Sequence, residues 1–390
     1  MSEDKKAKLK KRRIRKTLLA VLFLVLTFGM FTYLNHVFSI GESDSNKQIF
    51  NAFYDEEKDT IDAIYLGTSA ANRYFINPLA YEEEGMSVFT VATMGMPMFY
   101  MPELMDEVQK TQDPDLYIIE MRWLLKDRDM ITDAHIRRVT DSLKLSSNKK
   151  KIIDKTFDYM DGSKGMLGDI SDNKLDYYVP IIKYHSKLSQ GEMAKADFIP
   201  WNVNNKTKGY VMSASTVKRV NQFPARLSDE KAPLSDIAQR ALNEVLDYCD
   251  NNGKDVLFVL SPYSVQKGQM PKFNTAIEIV SERGYPVVNF NSEEMYEELG
   301  INWDEDFYNS KHVNYCGAEK YTKWLTAYLA EHYDLTDHRG DAKYESWEES
   351  YKTYKAYVKD GIQVLGHKDK PGGEVKVIYN NLAEDDDEEE

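Results

Sequence analysis

Ile61-Asp62-Ala63-Ile64-Tyr65-Leu66-Gly67-Thr68-Ser69-Ala70-Ala71-Asn72-Arg73 decides the fold. About five apolar and β-branched positions closed by Gly-Thr-Ser suit a central strand of a parallel sheet, which is buried on both faces. The small residues that follow suit a tight turn into a helix. Ser69 then falls just past the carboxyl end of the strand, where ligands bind in open α/β sheets. A serine there has two possible employments. It can be an N-cap, which serine commonly is. It can also present its hydroxyl to a cleft, with the unpaired N–H groups of the helix start available to an oxyanion.

Outward from this stretch the chain alternates strand and helix. Asn77-Pro78 opens a helix that Gly85 closes. A second strand is expected over Ser87 to Ala92, a helix over Phe99 to Thr111, and a third strand over Asp115 to Met121 behind Pro114. Short links between such units mark a doubly wound parallel sheet. Residues 123–231 lose the alternation. Helix-like stretches at Ile131 to Lys144 and Ile152 to Met160 predict a helical insertion over the carboxyl edge, as a lid or as decoration. The alternation resumes with a helix after Pro233, a strand at Asp255 to Leu260, a helix around Phe273, Ile277 and Val280, and a short strand at Pro286 to Phe290. The expected fold class is therefore α/β, a five-stranded doubly wound parallel sheet spanning residues 61–335.

The ends of the chain differ from this body. Residues 1–16 hold nine Lys/Arg against Glu3 and Asp4, a charge of +7, which leaves −21 of the −14 total for the rest. So acidic a body argues against a nucleic-acid partner, since phosphate binding needs basic patches. Thr17 to Phe38 carries no Asp, Glu, Lys or Arg. Its length approaches the roughly 20 apolar residues that span a bilayer. The basic segment before it predicts a cytoplasmic N-terminus and an extracytoplasmic body. A cleaved signal peptide is the rival reading, but Val37-Phe38-Ser39 is a poor cleavage site. Residues 39–60 read as a stalk or a short helix leading from the membrane to the fold. Residues 336–390 read as a polar extension ending in an acidic run, Glu384 to Glu390, that repels itself and is expected to be disordered. The two cysteines, Cys249 and Cys316, permit a disulfide outside the cytoplasm without requiring one.

His312 is the histidine best placed for chemistry, in a loop before an amphipathic helix bearing Tyr321, Trp324, Leu325 and Tyr328. From there it can reach across the carboxyl edge to Ser69. A base of near-neutral pKa beside a hydroxyl is what nucleophilic catalysis needs. Tyr117, Trp123 and Tyr184 are candidates to line a sugar cleft. The chain has no phosphate-binding loop, dinucleotide fingerprint, zinc ligand pair or calcium loop, so neither cofactor nor metal is expected.

Gly67-Thr68-Ser69, Gly95 after the second strand, and His312-Val313-Asn314 followed by Gly317-Ala318 together resemble the SGNH hydrolase superfamily. The likeness is nearest to its membrane-anchored branch, which includes the lipoteichoic-acid D-alanyl transfer and alginate O-acetylation proteins. The N-terminal anchor, the Pro114-to-Glu120 strand, and Tyr184-His185-Ser186 with Lys208-Gly209-Tyr210 add to it. The resemblance implies Ser69 as nucleophile and His312 as general base, with backbone N–H groups of Ser69 and Gly95 as the oxyanion hole. Arg73, Glu120, Arg122, Tyr184 and His185 would bind substrate.

Three positions depart from the family pattern. Asn309 stands where the triad aspartate is expected, three residues before His312, so either Asp306 or Asp304 substitutes from the same loop or the site works as a Ser–His dyad. Thr90 stands in place of the asparagine after the second strand. The Asn–Asp pair of the third block is missing, with Glu120 and Arg122 in that region. The resemblance implies an O-acyltransferase or esterase at a bacterial cell membrane, acting on a glycan or teichoic-acid-like polymer. A multispanning membrane protein would supply the acyl group. A non-catalytic scaffold on the same fold is the alternative.

Overall fold

The computed structural model describes residues 3–160, 170–200, 203–215, 220 and 224–365. Five strands form one sheet: β1 (Ala63–Gly67), β2 (Val88–Ala92), β3 (Leu116–Glu120), β4 (Asp255–Leu260) and β5 (Val287–Asn289). Their order is β2-β1-β3-β4-β5 and every pair is parallel. The order reverses between β1 and β3, which opens a crevice at the carboxyl ends of those two strands.

Side chains alternate across the sheet, as the pleat requires. Ile64, Leu66, Ile119, Phe258 and Leu260 face one helical layer, with Leu104 of the Met101–Val108 helix, Leu242 and Val245 of Asp236–Asn252, and Phe273 of Gln269–Glu282. Tyr65, Ile118, Leu257 and Val259 face the other, with Leu79 of the Asn77–Glu84 helix and Tyr321 and Leu325 of Tyr315–His332. Each such fully buried side chain contributes about 1.5–3 kcal/mol. The central strands are apolar on both faces because both faces are covered.

Three expectations change. The Phe99-to-Thr111 helix is shorter and in two parts, a 3-10 turn at Met98–Tyr100 and an α-helix at Met101–Val108. Pro102 sits in the first turn of the α part, where its missing N–H costs nothing. Of the two readings of residues 39–60 the short helix holds, and it is packed rather than free: Ser45–Asp55 is capped by Asp44, and its Ile49, Phe50 and Phe53 are in the core. It runs antiparallel to the strands. Near its start Asn46 Oδ1 accepts the N–H of Met94, past the carboxyl end of β2, at 2.8 Å. Beyond its end Thr60 N–H donates to Gln112 Oε1 at 3.0 Å, on the amino side of β1 and β3. The C-terminal extension contains a helix, Glu345–Leu365, whose Trp347 and Tyr354 are buried. Trp347 stacks on Tyr81 of the Asn77–Glu84 helix at 5.8 Å. The acidic run lies outside the described residues.

The insertion also joins the body. The Asp133–Thr140 and Ser147–Met160 helices bury Ile136, Val139, Ile152 and Ile153 in the same core. Ahead of everything, Glu3–Val37 is a single helix, long and apolar enough to cross a membrane, and its apolar stretch is not buried against the fold. A membrane anchor and a signal sequence share those properties.

Candidate active site

The turn after β1 leaves the Ser69 hydroxyl available. Thr68, not Ser69, is the N-cap: its extended backbone precedes the Ser69–Asn72 helix, and its hydroxyl accepts the N–H of Ala70 at 3.2 Å. Ser69 is the first helical residue, so its own N–H has no acceptor within the helix. Gly67 permits the tight crossing: a Cβ there would lie 2.7 Å from Glu120 Cβ on β3. The nucleophile candidate thus stands at the mouth of the β1/β3 crevice.

The partner arrives on a small antiparallel ribbon, β6 (Phe307–Asn309) and β7 (His312–Val313), in which Asn309 pairs with His312. His312 Nε2 lies 2.7 Å from Ser69 Oγ, and its Nδ1 lies 3.1 Å from Asn309 Oδ1. The amide oxygen only accepts, so it selects the tautomer protonated at Nδ1 and leaves Nε2 free to accept the serine proton. The same Oδ1 closes the turn, accepting the backbone N–H of Lys311 at 2.9 Å and of His312 at 2.8 Å. Asn309 therefore orients the ring but brings no charge to it.

Asp306 does not stand in for the missing acid. Its carboxylate binds Lys320 at 2.6 Å and the N–H of Asn302, and Asn309 occupies the Nδ1 side of the ring. Asp304 is exposed. The nearby charges are cationic instead. Burial first, and then Arg122, Arg73 and Lys311, push the His312 pKa well below its usual value. The imidazole is neutral at physiological pH, ready to accept a proton but poorly supported once it has one.

Glu120 and Arg122 hold the site together. Glu120 is buried at the end of β3, where burial raises its pKa. It accepts from the Ser261 hydroxyl at 3.0 Å and from the backbone N–H of Arg122 at 3.0 Å. The Arg122 guanidinium donates to the Ser261 hydroxyl at 3.3 Å and to the carbonyl of Lys311, next to His312, at 2.6 Å. It lies over the rings of Tyr263 at 4.2 Å and Tyr74 at 5.4 Å. The Tyr74 hydroxyl donates to the same Lys311 carbonyl at 2.8 Å. Two donors from the β1 and β3 loops thus grip the histidine turn. Arg73 is buried 5.1 Å from the centre of the Tyr308 ring, which is stacked on His312.

Gly95 lies three residues past β2, on the same carboxyl edge, with φ +67°. A Cβ there would meet His135 at 2.1 Å and Trp123 at 2.7 Å, so only glycine fits. The His135 and Trp123 rings meet edge to face at 4.7 Å. Thr90 is buried inside β2, bonded to Asn77. Tyr117 is buried in the core rather than at the edge. Tyr184 lies near Arg137 and Lys187, and the His185 Nδ1 meets the Ile182 carbonyl. Those contacts place Tyr184 and His185 in the insertion, among partners other than the Ser69–His312 pair.

Tyr74, Tyr308, Ser261 and His135 were missing from the sequence reading. Ser261 had a signal: it lies two residues past Val259, the β4 partner of Glu120, so with the two-residue period of a strand both side chains emerge on one side of the same edge. Among the described residues no cluster of three or more His, Cys, Asp or Glu is arranged to hold a metal ion. Cys249 and Cys316 are not joined in a disulfide. No protein-family model matches the chain, and no curated protein is significantly similar to it.

Proposed function

We propose that this chain is a membrane-anchored, extracytoplasmic O-acyltransferase or esterase of SGNH type, acting through an acyl ester on Ser69. The observation that carries the reading is the 2.7 Å contact between Ser69 Oγ and His312 Nε2, with Nδ1 committed to Asn309. Serine, base and orienting group in line are the elements of nucleophilic acyl transfer. His312 Nε2 takes the Ser69 proton as Oγ attacks the ester carbonyl of the donor. The tetrahedral oxyanion is met by the N–H of Ser69 and of Gly95. Nε2 then returns the proton to the departing alcohol, leaving acyl-Ser69. An acceptor alcohol or water gives its proton to Nε2, attacks the acyl carbon, and restores the Ser69 hydroxyl as the ester breaks.

Placement supports a membrane-linked role. The Ser45–Asp55 helix starts beside Met94, at the carboxyl edge, and directly follows the anchor. Its Lys47 binds Glu42 at 3.2 Å, and Glu42 faces His36 at 3.1 Å near the end of the N-terminal helix. The edge bearing Ser69 is thus the anchor's side of the body. That suits an acyl donor delivered by a multispanning membrane partner and a cell-envelope glycan or teichoic-acid-like acceptor. Product analysis with an activated acetyl ester tests this, with and without a glycan alcohol. The proposal expects acetyl on the glycan or free acetate, both lost with Ser69→Ala. Equal product from wild type and variant contradicts it.

Asn309 favours a second reading. Without a carboxylate behind it, and with three cations nearby, His312 is a weak base. A scaffold that binds acylated polymer would tolerate that. Asn309→Asp separates the two: a gain over a measurable wild-type rate supports a catalytic site, whereas turnover gained from an inactive wild type (a decayed triad), or an inert variant with retained polymer binding, supports the scaffold.

A further inference from the structure

We propose that residues 181–199 form an apolar collar lying in the outer interface of the lipid bilayer, fixing the height and tilt of the body. The inference rests on the reading of the N-terminal helix as a retained anchor. Ile182, Leu188, Phe198 and Ile199 are 45–63% exposed, within one stretch of the insertion. Clustered exposed apolar side chains mark a surface that is covered in use.

The depth of this stretch follows from the anchor. Lys16 is the last charged residue before the apolar run, and His36, which faces Glu42, is the first ionisable one after it. The helix between them rises about 30 Å, the thickness of the hydrocarbon core. Tyr33 is therefore just inside the outer boundary, the level at which tyrosine anchors spanning helices. The Tyr33 hydroxyl donates to the Phe198 carbonyl at 3.0 Å. That bond holds Phe198 and Ile199 at the same level.

Two more bonds tie the collar to the linker above the anchor. Lys187 Nζ donates to the Ser39 carbonyl at 2.7 Å, and Asp197 Oδ1 accepts the N–H of Glu42 at 2.8 Å. The collar is continuous with the spanning helix at a depth where lipid is the surrounding solvent. Its occupant is therefore the lipid interface, in the manner of interfacial apolar faces.

The test uses the full chain with Cys316→Ser, Cys249 remaining buried. Single cysteines replace Ile199, Phe23 in the anchor, and Ser281, which is exposed on the last turn of Gln269–Glu282. Each is labelled with an environment-sensitive fluorophore and reconstituted in phosphatidylglycerol–phosphatidylethanolamine vesicles carrying a shallow acyl-chain spin label. The proposal expects lipid quenching at 199 and 23, and only aqueous iodide quenching at 281. Quenching at 23 with 199 behaving like 281 overturns the collar and leaves the anchor. Absence of lipid quenching at 23 as well means that the anchor reading itself has failed. Protection of 199 from iodide without lipid quenching, seen only in native membranes, assigns the patch to a protein and also overturns the proposal.

Discussion

Ser69 and His312 reach the same point by opposite means. Ser69 is placed locally: a five-residue strand, a close-packed Gly67 and a Thr68 cap leave its hydroxyl no other task. His312 is placed from afar. Its ribbon has only a short ladder, and it is gripped through the Lys311 carbonyl by Arg122 and Tyr74, from the loops after β3 and β1. If Ser69 is the nucleophile and His312 its base, the nucleophile is built into the fold and robust, whereas the base is held by distant side chains and adjustable. The weak point of the site is therefore the hairpin and its clamp.

The largest expected effect is on the nucleophile itself. Ser69→Ala leaves the fold unchanged by melting temperature and abolishes turnover, because the acyl ester forms on that hydroxyl and the Thr68 hydroxyl is engaged as the helix cap. Adding charge to the hairpin comes next. Asn309→Asp supplies the carboxylate that the imidazolium lacks. Its absence from a triad costs on the order of 10⁴ in rate, so a gain of ten-fold or more in acyl-transfer rate is expected at neutral pH, roughly 1.4 kcal/mol of barrier or greater. No gain over a measurable wild-type rate would mean that the hairpin already works as a dyad or with another acid.

Breaking the clamp tests the comparison directly. Arg122→Ala removes the grip on Lys311 and leaves Glu120 buried without its neighbour. A loss of about 3–5 kcal/mol in stability is the usual result of breaking a buried charged network. A loss of about 100-fold in turnover is expected from a misplaced base. Arg122→Lys keeps the charge but not the forked geometry, so it should recover more stability than rate. If both variants keep full rate in the folded fraction, the clamp does not position His312.

The smallest effect is in pH dependence. Because the folded His312 pKa lies well below the usual value, activity should stay flat as pH falls through about 6.5, the ordinary histidine range. Asn309→Asp should move an acid limb upward into it. Stability has a linked sign. The unfolded chain takes up a proton near pH 6.5 while native His312 does not, so stability is greatest above that pH and falls as pH drops below it. His312→Ala should remove this contribution, which denaturant melts at pH 7.5 and 5.5 would resolve.

Most of the sheet is legible in the sequence because buried parallel strands are continuous apolar runs with Gly or Pro at their ends. Asp115 to Met121 and Asp255 to Leu260 match the observed strands to within a residue at each end. That the Ser45–Asp55 helix belongs to the core was not legible, because Asn46, Lys47, Gln48 and Asn51 are polar. They are buried all the same, each engaged by the linker or the β2 loop. Trp347, Tyr351 and Tyr354 carry a helical spacing that the polar composition of the extension obscured. Ser69, His312 and Asn309 could be named from local motifs. The Arg122 clamp could not, since the residues it joins are 189 apart in sequence.

Covalent capture tests the central claim most directly. The body from residue 41 onward is mixed with an activated acetyl ester and read by intact and peptide mass, alongside Ser69→Ala and His312→Ala. Acetyl on the Ser69 peptide of the wild type, and on neither variant, is the predicted result. Equal background labelling in all three proteins would contradict a Ser–His nucleophile.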